Sequence, residues 1–374
     1  MNRDNGMWTR RNLLKTLSTA GAIGIAGCSG TSGSGESGGS SSGENFSMTL
    51  AGPYTQDAMD NYAPMMFQTY KSEIESRSDG RISVDLASGG ELGAGTELAQ
   101  KTQQGTVEAA QFSLSNFSPF APAVDLINLP YFAGTNQKFV NLITSDVWQN
   151  NIHQKVRDNG YRIGYYALVD PRSIAPGPEF PNEIPPRTPS GMEGVTHRIP
   201  GSDIIQLAWD LVGANPSPVN WGETPQALQE GVAGSTHNAL EFHPAFGFTD
   251  IIEAEVLIKA VEDAQAIALN KEWYDSLPSD LQTAVDKAGQ VAFQANLDSL
   301  SEYRQRSIEE LRGSDVEIVE LPDSELSQWK EVMGYQRSEY DDFKQELAGD
   351  METFQKFEEA TTQQSDYDVS PQSL

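Results

Sequence analysis

Phe46, Met48 and Leu50 alternate with polar neighbours at the period of a half-buried strand, and Gly52-Pro53 closes that strand. Met59, Tyr62, Met66, Tyr70 and Ile74 then recur at helical spacing up to Asp79-Gly80, a helix stop. Ile82, Val84 and Leu86 predict a second strand, Gly89 to Gly95 a loop, Thr96 the cap of a short helix ending at Gly105, and Val107 to Phe112 a third strand. That order implies parallel pairing with right-handed crossovers. A proline-rich stretch, Pro171 to Pro189, interrupts the pattern and marks a crossing between lobes. A second unit follows: strand Gly194 to Ile199, helix Ser202 to Val212, strand Pro218 to Trp221, a helix entered at Thr224 and Pro225, and strand Val232 to Asn238. Beyond it come a long helix from Ser279 to Arg312, a strand from Val316 to Leu321 and an amphipathic helix carrying Leu326, Trp329, Val332 and Met333.

The expected fold class is therefore α/β in two lobes that form a clamp, with a long connecting helix in the C-terminal part. One lobe is expected to hold residues 45–169 plus about 263–301, and the other 170–262 plus about 302–347. Residues 348–374 are expected to form a polar tail that frays.

The first residues follow a different logic. Thr9 to Lys15 reads TRRNLLK, with Arg10 and Arg11 adjacent, and leads into a weakly apolar run too short to span a bilayer. Residues 1–27 are expected to be a twin-arginine export signal with a lipoprotein cleavage box. IAGC closes the run, and Cys28, the single cysteine, is the expected lipidation site. Residues 28–44, mostly Gly and Ser, would form a flexible tether. The protein is then expected on the outer face of the cytoplasmic membrane, held by lipid alone and without disulfides.

Charge narrows the partners. The chain carries 53 acids against 25 bases, a formal net charge of -28, and loss of the signal would make it more negative. Such a field repels nucleic acid and anionic membrane surfaces. The carboxylates are dispersed from Asp57 to Asp368, as on a surface kept hydrated in molar salt, so a halophilic archaeal host is expected. At molar ionic strength the Debye length falls to about 3 Å, so only charges in contact matter.

Catalytic patterns are sparse. His237 and His243 lie six apart, a poor spacing for zinc, the other histidines are His153 and His197, and no GxSxG elbow occurs. Gly90 to Thr96 (GELGAGT) lacks the lysine of a phosphate loop, although its helix N-terminus could face an anion. No cofactor, no metal and no enzymatic activity are expected. Asn45 and Asn116 each begin an NFS glycosylation sequon.

Residues 194–238, GVTHRIPGSDIIQLAWDLVGANPSPVNWGETPQALQEGVAGSTHN, closely resemble the second lobe of the solute-binding proteins of TRAP (tripartite ATP-independent periplasmic) transporters. GVTHRIP, VGANPSP, WGETPQALQEG and a terminal asparagine stand in that family's order. SDGRISVDLASGGELGAGTELAQKTQQGTVEAAQFS, then INLPYF, and later NKEWYDSLPSDLQ are similar to its first lobe and hinge segments. The resemblance covers nearly all of residues 46–345 and implies a periplasmic-binding-protein-like (Venus flytrap) fold. It implies a small organic-acid ligand and membrane permease subunits as partners.

It also implies roles for particular residues. Arg198 falls on the arginine that pairs with the ligand carboxylate, consistent with the bidentate fork of a guanidinium. Arg172 falls on an assisting arginine, Asn238 on an amide donor and Trp221 on an aromatic wall, while Tyr54, Ser113 and Asp263 come from segments bordering the cleft. The family's VDGxEN reads VAGSTHN here, losing the acid and bringing in His237. An ABC-type binding lipoprotein and an exported hydrolase are the alternatives, the first decided by a neighbouring ATPase gene and the second by turnover of ester or glycoside.

Overall fold

The computed structural model describes residues 44–369. Arg10, Arg11, Cys28 and the tether up to Gly43 lie outside the described residues. The strands are β1 (Phe46–Ala51), β2 (Ile82–Ala87), β3 (Ala109–Ser113), β4 (Tyr161–Ala167), β5 (Ser173–Pro176), β6 (Thr196–Ile199), β7 (Asn215–Pro218), β8 (Ser235–Asn238), β9 (Ala254–Leu257), β10 (Gln265–Asn270) and β11 (Glu317–Glu320). They form two sheets, in the orders β2-β1-β3-β10-β4 and β11-β9-β5-β8-β6-β7. As the strand and helix order predicts, β1 pairs parallel with both β2 and β3. The two-sheet α/β architecture with its long C-terminal helix is the one expected from the sequence.

Several elements differ from expectation, each for a local reason. The helix predicted from Met59 to Asp79 is two helices, Gln56–Asn61 and Phe67–Arg77, because Pro64 offers no N–H to a continuous ladder. Met66, at φ 58°, turns the chain into the second helix. Helix Gly95–Gln103 is preceded by Ala94, so Thr96 lies inside its first turn and does not cap it. Trp221 sits in a 3-10 turn, Trp221–Glu223, and the strand precedes it as β7. The part of the tail within the described residues is folded: Met351–Thr362 is a helix whose Phe354, Phe357 and Ala360 are buried. Phe354 stacks on Phe132 at 5.2 Å and Phe357 meets Trp148 at 5.4 Å, so a three-to-four-residue apolar stripe outweighs the polar composition around it.

The chain passes between the sheets after β4 and again before β10. Arg172 N donates to Val261 O at 2.8 Å and Asp263 N to Asp170 O at 3.2 Å, so the two crossings run side by side. The long helix Ser279–Gly313 lies over them. Its Asn296 is fully buried, accepts from Leu168 N at 2.8 Å and donates to Pro64 O and Leu168 O at 2.9 and 3.0 Å. Further along, Arg304 is paired with Asp170 at the same crossing. No helix among the described residues is long and apolar enough to cross a membrane.

This helix approaches β4 so closely that a Cβ on Gly289 would stand 2.3 Å from Gly164 O. Gly289→Ala should cost roughly 1–3 kcal/mol through forced backbone displacement. Gly313→Ala, with open space around it, should be neutral or gain up to about 1 kcal/mol. Denaturant titrations in molar KCl check both, and equal effects would refute the close packing.

A second expectation concerns pH. Asp125 is buried in the 3-10 turn Pro122–Asn128, accepting from Asn128 Nδ2 at 2.7 Å and Ile204 N at 3.4 Å. Burial pushes its carboxyl up from 3.8 to about 6, against the hydrogen bonds that favour the anion. A raised acid pKa favours folding most when the group is protonated, so this contribution is complete below the ordinary value and is lost as pH climbs through about 6. Asp125→Asn should lose less stability than the wild type over that interval. Parallel melting-temperature curves for the two proteins would rule this out.

Candidate functional site

Strand alternation decides which side chains meet. In β6 the side chains of His197 and Arg198 leave opposite faces, and pairing with β8 sets His197 beside Ser235 and Arg198 beside Thr236. Pairing of β5 with β8 sets Ser173 beside Asn238. Arg198, Thr236 and Asn238 therefore share one face, while His197, Ser235 and His237 share the other. On that second face His197 packs on Trp209 at 4.0 Å and shares a 2.6 Å hydrogen bond with Ser235 Oγ, and Trp209 Nε1 donates to His237 Nδ1 at 3.4 Å. Burial pushes His197 down to about 3 and His237 well below its ordinary range, so both rings are neutral. His237 of the altered VAGSTHN segment is a core residue, and His243 turns elsewhere to pair with buried Glu255.

The first face opens on a small cavity lined by Tyr54, Ser113, Asn116, Arg172, Arg198, Pro200, Trp221, Asn238, Phe242, Asp263 and Gln265. All seven ligand-contact residues expected from the sequence converge there. Arg198 is only 2% exposed, and its Nε donates to Val219 O at 2.9 Å and its Nη1 to Asn238 Oδ1 at 3.0 Å. Its guanidinium carbon lies 5.5 Å from the Trp221 ring centre. Among the described residues no carboxylate forms an ion pair with it. Burial, and then the charge of Arg172, push its pKa down from the ordinary arginine range to about 9.

Arg172 is spent differently. Its Nη1 donates to His237 O at 3.0 Å, and its Nη2 pairs with Asp263 Oδ1 at 2.8 Å and reaches Ser113 Oγ and Ser115 Oγ at 3.3 Å. Asp263 also accepts from Gln265 Nε2 at 3.1 Å and Ala239 N at 3.2 Å. Asn238 Oδ1 accepts from Thr236 Oγ1 at 2.9 Å besides Arg198, which fixes the amide with its NH₂ group turned from the guanidinium. Burial, then Asp263, holds the Tyr54 hydroxyl above its ordinary pKa and therefore neutral.

An aromatic wall closes one side. Trp221 stacks on Phe248 at 5.0 Å and meets Phe246 and Phe242 at 5.3 and 5.9 Å, and Tyr54 reaches Phe246 and Phe242 from the opposite side at 5.2 and 5.3 Å. Sequence reasoning missed Asn116, Phe242, Phe246 and Gln265. The pair Phe242 and Phe246, four apart just after Asn238, was a readable signal, as was Gln265 heading an apolar strand. Asn116 accepts from Gly201 N at 3.4 Å across the cavity mouth, a position that argues against a glycan on its sequon. None of Gly90 to Thr96 lines the cavity, so that helix N-terminus does not face it.

Comparison with known proteins agrees with this architecture. The chain is 20% identical over 279 residues to a solute-binding protein of Chromohalobacter salexigens, covering 75% of this chain and 80% of that one. It is 20% identical over 282 residues to the ectoine-binding periplasmic protein TeaA of Halomonas elongata, covering 74% and 79%. The crystal structure of a TRAP periplasmic solute-binding protein from Roseobacter denitrificans, with bound β-D-glucuronate, superposes with a TM-score of 0.75 at 19% identity, covering 83% of this chain and 99% of that one. The model of bacterial extracellular solute-binding protein, family 7, matches residues 65–343, which span the crossings, every strand except β1 and every cavity residue except Tyr54, and to that family this chain belongs.

Proposed function

We propose that this protein captures a small carboxylate-bearing solute in the cavity at Arg198 and delivers it to a TRAP membrane permease. The observation that carries the reading is the buried Arg198 guanidinium, which is in contact with neutral oxygens and an aromatic face and, among the described residues, forms no ion pair with a carboxylate. A ligand carboxylate would supply the missing charge through a bidentate contact, in a site where excluded water strengthens it. Bound glucuronate in the Roseobacter denitrificans protein and ectoine binding by the Halomonas elongata protein, both ligands with a carboxylate, support this chemistry. The family match favours a TRAP partner over an ABC permease, and no residue is assigned a catalytic role.

In this reading residues 45–169 plus about 263–301 and 170–262 plus about 302–347 close as two lobes about the paired crossings. The TRR motif at Arg10 and Arg11 and the lone Cys28 support Tat export and a lipid anchor on the outer membrane face, and the dispersed acid supports a halophilic host.

Arg198→Ala should weaken acid binding by about 2–4 kcal/mol, roughly 30- to 1,000-fold, while Arg198→Lys, which keeps charge but loses the fork, should recover only part of it. Asn238→Asp, which would place a carboxylate 3.0 Å from Arg198 Nη1, should also suppress binding without unfolding the chain. Calorimetric titration with organic acids in molar KCl reads each value, and undiminished binding by Arg198→Ala would end the assignment. Because a chain at -28 repels an anion, capture should weaken when salt is lowered, and equal binding in dilute buffer with intact circular dichroism would contradict that.

A further inference from the structure

Counting charge inside the cavity leads beyond a generic carboxylate. Two guanidiniums, Arg172 and Arg198, face it, and both are at most 2% exposed. A single carboxylate, Asp263, is buried with them and ion-paired to Arg172. Tyr54 is neutral, because its burial beside Asp263 disfavours the phenolate. Asp263 is the one carboxylate that acts on either arginine, and it favours the charged form of both. The protein thus leaves one uncompensated positive charge, located on Arg198.

We infer that Asp263 is a specificity-determining residue, which neutralises Arg172 so that the closed cavity accepts a solute with one carboxylate and rejects one with two. This rests on the reading of Arg198 as the carboxylate anchor. The first carboxylate of a dianion meets Arg198. The second would be desolvated without a cation of its own, because the charge of Arg172 is already paired with Asp263 and its terminal nitrogens are committed to His237 O, Ser113 and Ser115, which leaves only its buried Nε without a partner. Rejection here works by what is withheld from the wrong ligand. Gln265, which links Asp263 to Gln111 through hydrogen bonds of 3.1 and 2.7 Å, presents a neutral amide on that side, suited to hydroxyl or carbonyl groups of the solute.

The test uses short dicarboxylates, each beside its own monoamide, since the members of a pair match in shape and differ by one charge. Calorimetry in molar KCl at neutral pH on the intact chain should show the wild type preferring the monoamide by at least about tenfold. Asp263→Asn keeps the shape, raises the cavity charge by one, and should erase or invert that preference. Asp263→Glu keeps the charge and should preserve it. A wild-type protein that binds dianions as tightly as their monoamides, or an Asp263→Asn protein with an unchanged ratio, overturns the inference while leaving the Arg198 anchor standing. Should Asp263→Asn fail to fold, the wild-type ratio and Asp263→Glu still decide. If no acid binds and Arg198→Ala changes nothing, the carboxylate reading itself fails, and this inference with it.

Discussion

A guanidinium taken out of water without a counter-charge in contact with it is the constraint on which the rest of this structure depends. Burial of an ion costs several kcal/mol even after relaxation, and Arg198 recovers part of that through Val219 O, Asn238 Oδ1 and the face of Trp221. None of these groups is an anion. Its depressed pKa, driven first by desolvation and then by Arg172, expresses the same deficit. The site is held in a state that, in the proposed function, an external carboxylate would complete.

Holding it there requires rigid neighbours. Arg198 and Asn238 come from β6 and β8, whose alternation also sends His197 and His237 into the opposite core, so the cavity wall and the hydrophobic interior are fixed by one register. A one-residue slip would exchange the two faces. Arg172 and Asp263 stand on the two crossing segments, tied by backbone hydrogen bonds and anchored to the long helix through Asn296 and Arg304. Charge at the site is therefore built into the part of the fold about which closure would occur. In molar salt, where screening removes distant fields, this contact arrangement would be the one that persists.

Much of this was legible because it is written in short periods. Alternation at Phe46, Met48 and Leu50 gave β1, and the motif order from GVTHRIP to VAGSTHN placed Arg198 and Asn238, whereas the proline-rich stretch only begins at the crossing and runs on through β5 and the loop after it. Other signals were present but outweighed by composition: Pro64 breaking a helix, and Phe354 with Phe357 in a polar tail. The apolar runs of β4 and β10 carry no alternation because both their faces are covered, so periodicity does not reveal them.

The sequence by itself determined the chemistry available: an arginine in a strand ending at proline, a second at the crossing, one family's motifs in order, and an acid excess. Only the tertiary structure decided how those charges are apportioned. Arg172 and Asp263 lie far apart along the chain, yet they meet at 2.8 Å, while Arg198 meets neutral oxygens. Which arginine is neutralised and which stays open depends on where two distant crossings lie against each other, a fact of three-dimensional packing that no local pattern encodes.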